Sequence, residues 1–321
     1  MNETRTTAQK VGAVLLVIFL FLFVAVFFAL VGNYNHNSTV KLQSDVRKVR
    51  AEAALEAKFS KVRFLTADFS TVSAKSFITL LYSPEGKIKV MAERNSTMAL
   101  PIASISKLFT AIVLDDEEIL RVSLYADKDF VGGDGTFNII KLGKSYVSRE
   151  LYKSMLIASD NDSARLLSSF MGPEKTVNLM NEKAKEIGLT NTTLYNVTGL
   201  DPLLESEMGK VNISTVDDLS KLLMYLVSRK KNILEITRTS EYNFCTDDEN
   251  CSLIKSTNKL LTDQSFPLKI VGGKTGQTDL ALKNLALITE PISGIFLINI
   301  VLGSADHFTD TEKILNQITV N

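Results

Sequence analysis

The feature that most constrains this chain is an uncharged apolar run near its N-terminus, from Val11 to Gly32. Its 22 residues would form a helix about 33 Å long, enough to cross the hydrocarbon core of a bilayer. A cleavable signal peptide has a shorter apolar region and a small-x-small cleavage site, which residues 29–32 match poorly. We therefore expect an uncleaved transmembrane helix over residues 11–32, preceded by a tail over residues 1–10.

The segment after this run predicts a short amphipathic helix. Apolar residues recur there at helical spacing among charged ones, at Leu42, Val46, Val49 and Ala53. The helix could be a self-associating stalk or a solvated juxtamembrane segment, and about two heptads are too few to indicate a coiled coil. We favour the second interpretation and assign residues 33–70 to a stalk or linker and residues 71–321 to the folded domain. Basic residues on both sides of the apolar run leave its orientation open.

The composition excludes two classes of function. The chain has 36 Lys plus Arg and 36 Asp plus Glu, so no net positive charge favours a nucleic acid. Its only histidines are His36 and His307, and its only cysteines are Cys245 and Cys251. These are too few for an ordinary zinc site, and we expect neither a metal nor a cofactor.

The apolar patterns predict a mixed α/β (α+β) fold. Two strands are expected in Phe77–Met91, separated by the turn at residues 83–86, and two more at Leu285–Thr289 and Gly294–Leu302. A terminal helix is expected at about Thr309–Ile318. The middle of the chain has helical patterns at Ile105–Asp115, Arg149–Ala158, Asp162–Phe170, Pro173–Ile187 and Thr215–Val227. We therefore expect one antiparallel sheet built from both chain ends, flanked by helices, with a helical lobe.

The two cysteines bracket a turn-rich stretch. A hairpin there could bring Cys245 and Cys251 close enough for a disulfide. The alternative is a pair of unpaired thiols in a cytosolic loop. The predicted membrane helix favours the disulfide and an oxidising compartment.

A serine hydrolase without histidine is the chemistry that the motifs favour. A Ser/His/Asp triad would have to use His307, and no Gly-x-Ser-x-Gly turn is present. A lysine one helical turn away can instead activate a serine. The pattern Ser-x-x-Lys occurs five times, but only Ser104-Ile-Ser-Lys107 opens a strongly apolar helix, where amides and the helix dipole favour negative charge.

Two further motifs are ambiguous when taken alone. Ser159-Asp160-Asn161 stands between two predicted helices, where these residue types are also preferred helix caps. Lys274-Thr275-Gly276 follows an apolar run and is expected on or beside a strand, although a glycine-rich bend is the alternative. It is not a phosphate-binding loop, because Leu268 stands where the first glycine would be.

Together and in this order, the three motifs resemble those of the penicillin-recognising serine enzymes. Within that superfamily, the chain looks most like the D-alanyl-D-alanine carboxypeptidases of the low-molecular-weight penicillin-binding proteins. The resemblance extends over about residues 72–321 and includes five segments: Leu100–Leu108, Leu189–Thr193, Gly199–Asp201, Asn258–Leu261 and Gly273–Asp279. It implies a fold like that of β-lactamases and transpeptidases. Class A β-lactamases carry a Glu-x-x-Leu-Asn loop, whose nearest match begins at Glu186, and we interpret Glu186 as a surface charge.

The resemblance implies a mechanism and its residues. Ser104 would attack the carbonyl between the last two D-alanines of a peptidoglycan stem peptide, and Lys107 would be the base. Ser159 would relay a proton, and Asn161 would hold Lys107 and the substrate amide. The substrate-binding residues would be Lys274, Thr275, Gly276 and Gln277. Lys274 and Thr275 would bind the terminal carboxylate, and the backbone N–H groups of Ser104 and Gln277 would form the oxyanion hole.

This chemistry implies a membrane-anchored enzyme whose domain faces the cell wall, with the tail in the cytoplasm. Its partners would be stem peptides ending in D-Ala-D-Ala and, as covalent inhibitors, β-lactams. Three alternatives stay open: a D,D-endopeptidase with the same residues, a β-lactamase, and a non-catalytic wall-binding scaffold.

Overall fold

A computed structural model describes residues 3–130, 139–245 and 251–321, without the side chains of residues 3–18, 32 and 34–38. The chain divides into two compact units, Met1–Lys58 and Phe59–Asn321. Its described helices are α1 (Glu3–Lys61), α2 (Lys107–Asp116), α3 (Ser148–Ile157), α4 (Asn161–Ser169), α5 (Pro173–Ile187), α6 (Val216–Arg229), α7 (Lys231–Thr237) and α8 (His307–Leu315). Its described strands are β1 (Val62–Phe64), β2 (Ser76–Tyr82), β3 (Ile88–Arg94), β4 (Leu100–Pro101), β5 (Ser123–Tyr125), β6 (Ser145–Val147), β7 (Ile213–Ser214), β8 (Glu241–Cys245), β9 (Cys251–Lys255), β10 (Ile270–Thr278), β11 (Leu282–Ile292), β12 (Ile295–Ser304) and β13 (Ile318–Val320).

The second unit is built on one five-stranded antiparallel sheet in the order β10-β11-β12-β2-β3. Strands from the beginning and the end of the domain therefore lie side by side, with β2 next to β12. This confirms the predicted antiparallel sheet from both chain ends. The Lys274-Thr275-Gly276 motif lies on β10, the strand at one edge of this sheet.

Helices cover the sheet. Alternate residues of β2 and β12, such as Ile78 and Ile300, belong to one buried core shared with α2 to α7. Helix α6 packs against β2 and β12, whereas α8 packs against β11 and β12. Strand β2 is buried along its whole length. The sheet is thus flanked by helices, and helices α2 to α5 pack together beside it as a lobe, as the sequence predicts.

Most of the predicted elements agree with the observed ones to within a few residues. Helix α5 has the predicted bounds, and β2, β3, β11 and β12 occupy the predicted apolar runs. The terminal helix is shorter than expected. It ends at Leu315, because a turn at Asn316 and Gln317 leads into β13, which pairs with β1. Strand β1 lies within the segment that the sequence assigns to the stalk or linker.

Across the described residues, no helix is long and apolar enough to cross a membrane. Part of the span predicted over residues 11–32 lies outside the residues with described side chains, as does the predicted tail over residues 1–10. The anchor therefore stays a prediction.

Candidate active site

Ser104 lies on a one-turn 3-10 helix, Ala103–Ser106, which leads directly into α2. Its side chain is partly exposed, whereas Ile105 and Ser106 on the same turn are buried. Ala103 has a positive φ of 48°, a conformation that residues other than glycine rarely adopt. Such local strain is typical of functional sites, where packing holds the backbone in place.

Lys107 is fully buried, with 0% of its surface exposed. Its Nζ is 2.8 Å from Ser104 Oγ, 2.7 Å from Asn161 Oδ1 and 2.7 Å from the Thr198 carbonyl oxygen. A buried lysine requires such compensating oxygen partners, because leaving a charged or polar group unpaired in the interior is costly. The 3-10 turn and the start of α2 thus bring the serine and the lysine of the first motif into direct contact.

The Ser159-Asp160-Asn161 segment connects α3 to α4. Asp160 caps α4, since its carboxylate accepts a hydrogen bond from the Ser163 N–H at 3.0 Å. Burial raises the pKa of Asp160. Ser159 has a positive φ of 61°, and its side chain points to Lys274 rather than to a helix end. Asp160 therefore caps the helix, while its neighbour Ser159 contacts Lys274.

Lys274 projects from β10 into the same site and is 1% exposed. Its Nζ donates hydrogen bonds to Ser159 Oγ at 2.7 Å and to the Thr275 carbonyl at 3.0 Å. Burial, followed by the positive charge of Lys107, lowers the pKa of Lys274 well below its ordinary value. Two buried lysines thus share one cleft, which is an arrangement suited to a negatively charged ligand.

Strand β10 runs against the turn that carries Ser104. A side chain at Gly276 would place its Cβ 2.7 Å from the Ile102 carbonyl oxygen and 3.1 Å from the Ser104 nitrogen. Only glycine therefore fits at this position without a shift of the backbone. Thr275 is buried and Gln277 is exposed. The backbone N–H of Gln277 therefore lies at the edge of the cleft.

The structure therefore brings the three predicted motifs together. Ser104, Lys107 and Asn161 form one contact group, and Ser159 and Lys274 form a second. Cys245 and Cys251 are joined by a disulfide at the end of the β8–β9 hairpin, which contains none of the motif residues. Glu186 is exposed and forms an ion pair with Lys183 at 2.6 Å. Among the described residues, no cluster of three or more His, Cys, Asp or Glu side chains could hold a metal.

Two site residues were missed by the sequence analysis. Thr198 contacts Lys107 through its backbone carbonyl, and a main-chain contact leaves no signature in the residue type. The carbonyl is held in place by Asn196, whose Oδ1 accepts hydrogen bonds from the N–H groups of Thr198 at 3.1 Å and Gly199 at 2.6 Å. The Gly199-Leu200-Asp201 sequence directly after Thr198 was the signal that could have located this residue. Thr257, whose hydroxyl oxygen lies 2.6 Å from that of Thr275, is the second.

A cavity of about 940 Å³ opens beside the site. Its lining includes Thr198, Leu200, Gln277 and Thr278 but not Ser104, so it begins at the residue whose carbonyl contacts Lys107 and extends past the end of β10. Asp201 fixes one wall, since it accepts hydrogen bonds from the Thr278 hydroxyl at 2.8 Å and the Leu280 N–H at 2.9 Å.

Comparison with known proteins identifies the class to which this fold and site belong. Residues 64–306 match the family "D-alanyl-D-alanine carboxypeptidase". Penicillin-binding protein D2 from Listeria monocytogenes, in its ampicillin-bound form, superimposes with a TM-score of 0.64 at 30% identity, covering 77% of this chain and 97% of that one. The fold is thus a mixed α/β fold of the penicillin-binding protein type.

Two curated relatives have related activities. A D-alanyl-D-alanine endopeptidase of Pseudomonas aeruginosa is 28% identical over 239 residues, which are 70% of this chain and 72% of the relative. A D-alanyl-D-alanine carboxypeptidase of Mycobacterium tuberculosis is 32% identical over 196 residues, which are 61% of this chain and 64% of the relative. The chain belongs to the D-alanyl-D-alanine carboxypeptidase family of serine peptidases, as the motifs predict.

Proposed function

We propose that this chain is a D,D-carboxypeptidase that removes the terminal D-alanine from peptidoglycan stem peptides through an acyl-enzyme on Ser104. The surroundings of Lys107 Nζ carry the proposal. A neutral amine has two N–H donors and one lone pair. The Thr198 carbonyl and Asn161 Oδ1 are positioned to accept hydrogen bonds from the two N–H groups. In this arrangement the lone pair faces Ser104 Oγ. This arrangement supports Lys107 as the general base.

In the acylation step, neutral Lys107 takes the proton of Ser104 Oγ while this oxygen forms a bond to the carbonyl carbon of the scissile amide. The backbone N–H groups of Ser104 and Gln277 stabilise the resulting oxyanion, and one such donor is worth about 3 kcal/mol. The C–N bond then breaks. The leaving amine receives the proton held by Lys107, relayed through Ser159, so that Lys107 is neutral again and free D-alanine departs.

In the deacylation step, a water molecule attacks the ester carbonyl of the acyl-enzyme. Neutral Lys107 takes one proton from this water and passes it to Ser104 Oγ as the ester bond to that oxygen breaks. The shortened stem peptide leaves with a new carboxyl terminus, and Ser104 regains its hydroxyl. Asn161 contributes to both steps because it holds Lys107 and is available to the substrate amide.

Recognition of the terminal carboxylate is assigned to Lys274 and Thr275. Among the described residues, Lys274 forms no ion pair with a carboxylate, although it is buried beside Lys107. A bound substrate carboxylate would supply the missing negative charge and raise the pKa of Lys274 again. Penicillins carry a carboxylate too, which supports their proposed role as covalent inhibitors of this site.

The direction of the substrate follows from β10. If the carboxylate lies at Lys274 and Thr275, the acyl part of the substrate extends toward Gln277 and Thr278. Three residues of strand cover about 10 Å, which reaches the cavity lined by Thr198 and Thr278. We therefore propose that this cavity holds the stem peptide on the acyl side of the cleaved bond.

We also propose that the domain works on the wall side of the cytoplasmic membrane, tethered through residues 11–32. The substrate is found there, and the Cys245–Cys251 disulfide is typical of an oxidising compartment.

The proposed activity is tested by the release of D-alanine from a stem pentapeptide ending in D-Ala-D-Ala. We expect release by the native full-length chain and none above background by Ser104→Ala. A cross-linked dimer of stem peptides, assayed in parallel, tests the second candidate function, a D,D-endopeptidase, which the Pseudomonas relative favours. Cleavage of the dimer alone would replace the carboxypeptidase proposal with that function. Binding of the pentapeptide without any cleavage would indicate a scaffold.

A further inference from the structure

Thr257 lies behind the residue that is proposed to bind the substrate carboxylate. Its hydroxyl oxygen is 2.6 Å from the hydroxyl oxygen of Thr275. Thr275 lies on β10 and is 8% exposed, while Thr257 is partly buried in the segment after β9. Each hydroxyl has one proton and two lone pairs, so one of the two threonines donates to the other.

The backbone holds Thr257 firmly. Its N–H donates to the Ile157 carbonyl at 3.1 Å, at the end of α3 and two residues before Ser159. The preceding N–H, of Ser256, donates to the Ser240 carbonyl at 2.7 Å, and the following N–H, of Asn258, donates to Ser256 Oγ at 3.1 Å. The Thr257 hydroxyl is therefore fixed relative to α3 on one side of the cleft and to β10 on the other.

The chemistry of a carboxylate determines the direction of this hydrogen bond when substrate is bound. An ionised carboxylate only accepts hydrogen bonds, so Thr275 must donate its single proton to the ligand. The oxygen of Thr275 then accepts from Thr257. When the Thr275 oxygen accepts this hydrogen bond, its own O–H bond becomes more polar. The hydrogen bond from Thr275 to the carboxylate is then stronger.

On this basis, which rests on the proposed function, we infer that Thr257 is a positioning residue for carboxylate recognition. Its hydroxyl orients the Thr275 proton toward the terminal carboxylate of the substrate or of a penicillin. Without it, the Thr275 hydroxyl rotates freely and one of its buried lone pairs loses its partner.

Two variants separate the hydroxyl from the shape of the side chain. Thr257→Val keeps the branched shape and removes the hydroxyl, whereas Thr257→Ser keeps the hydroxyl. Both are compared with the native full-length chain by the second-order rate constant of acylation. The two probes are benzylpenicillin, which has a free carboxylate, and its methyl ester, which has none.

We expect Thr257→Val to acylate roughly tenfold more slowly with benzylpenicillin, the effect of losing one hydrogen bond, and Thr257→Ser to stay near the native rate. With the methyl ester, all three proteins should react at the same rate. Thr275→Val should show the same selective loss, and adding Thr257→Val to it should change nothing further, because the two residues act as one unit.

Equal losses with both probes would mean that Thr257 only holds the two sides of the cleft together, and this result would overturn the inference. An acylation rate with benzylpenicillin in Thr257→Val equal to that of the native chain would overturn it as well. Absence of labelling on the folded native chain would instead overturn the proposed function, and the inference with it.

Discussion

The backbone around Ser104 is enclosed by two glycines that have no room for a side chain. A Cβ at Gly199 would lie 2.0 Å from the Ala103 carbonyl oxygen, and Gly199 also has a positive φ of 83°. Gly276 approaches the same turn from β10. The position of Ser104 therefore depends on close backbone contacts as well as on the Lys107 side chain.

We expect Gly199→Ala to slow acylation of Ser104 by benzylpenicillin about 100-fold, since a displacement of about 1 Å at a reacting group can cost this much. Gly209→Ala is the matched control. Gly209 also has a positive φ, of 94°, but a Cβ there meets nothing within 4 Å. Both variants should lose about 1 kcal/mol of folding stability from the unfavourable φ. Gly199→Ala should lose further stability from the overlap with Ala103, and only this variant should lose acylation rate. Equal acylation rates in the two variants would contradict this account of the turn.

Residue types and spacing predicted most of the side chains that meet in the cleft. Ser104 and Lys107 were identified because a lysine three residues after a serine lies on the same face of a helix. Thr198 could not be found in this way, because it contributes a carbonyl. Thr257 could not be found either, since its contact with Thr275 depends on how the β8–β9 hairpin is placed against β10. The catalytic and binding roles of the residues in the three motifs stay predictions.

At the scale of elements, the sequence predicted best where local signals mark both ends. Helix α5 begins with Pro173 at its first turn and is followed by Gly188, which has a left-handed conformation. Both residues are strong boundary signals. The two- and three-residue strands, such as β1 and β13, were missed. They have too few residues for a pattern, and their partners are far away in the sequence.

Strand β10 shows why glycines in a strand can indicate packing rather than a bend. Glycine usually weakens a strand. Here a Cβ at Gly273 would lie 2.6 Å from the Ala286 carbonyl oxygen on β11, and Gly276 must pass close to the Ser104 turn. The close neighbours of β10 thus require glycine at positions 273 and 276, although glycine has a low strand propensity.

At the scale of the whole domain, the site lies between the edge of the sheet and the helical lobe, and both must stay folded for it to form. His307, at the start of α8, is a buried group on the sheet that the proposed mechanism does not use. Both of its ring nitrogens are without a hydrogen-bond partner among the described residues. Burial lowers the pKa of His307 to about 4, from an ordinary value of 6.5.

This low pKa predicts a loss of stability in acid. The folded state keeps His307 neutral, so the unfolded chain binds a proton first as the pH falls from 6.5 to 4. The stabilising contribution is complete above pH 6.5 and is lost progressively through this window, up to ~3 kcal/mol. The free energy of unfolding, measured by urea denaturation at several pH values, should therefore depend less on pH in His307→Gln than in the native chain. Parallel curves for the two proteins between pH 7 and pH 4 would show that His307 does not titrate in this way.

The central claim, that Ser104 is the nucleophile, is tested most directly by intact-mass spectrometry after incubation of the full-length chain with benzylpenicillin. We expect one covalent adduct on the native chain, none on Ser104→Ala, and one on Ser106→Ala, which lacks the neighbouring hydroxyl of the same turn. Peptide mapping should locate the adduct on Ser104. An adduct that persists on folded Ser104→Ala, or a folded native chain that remains unlabelled, would contradict the account.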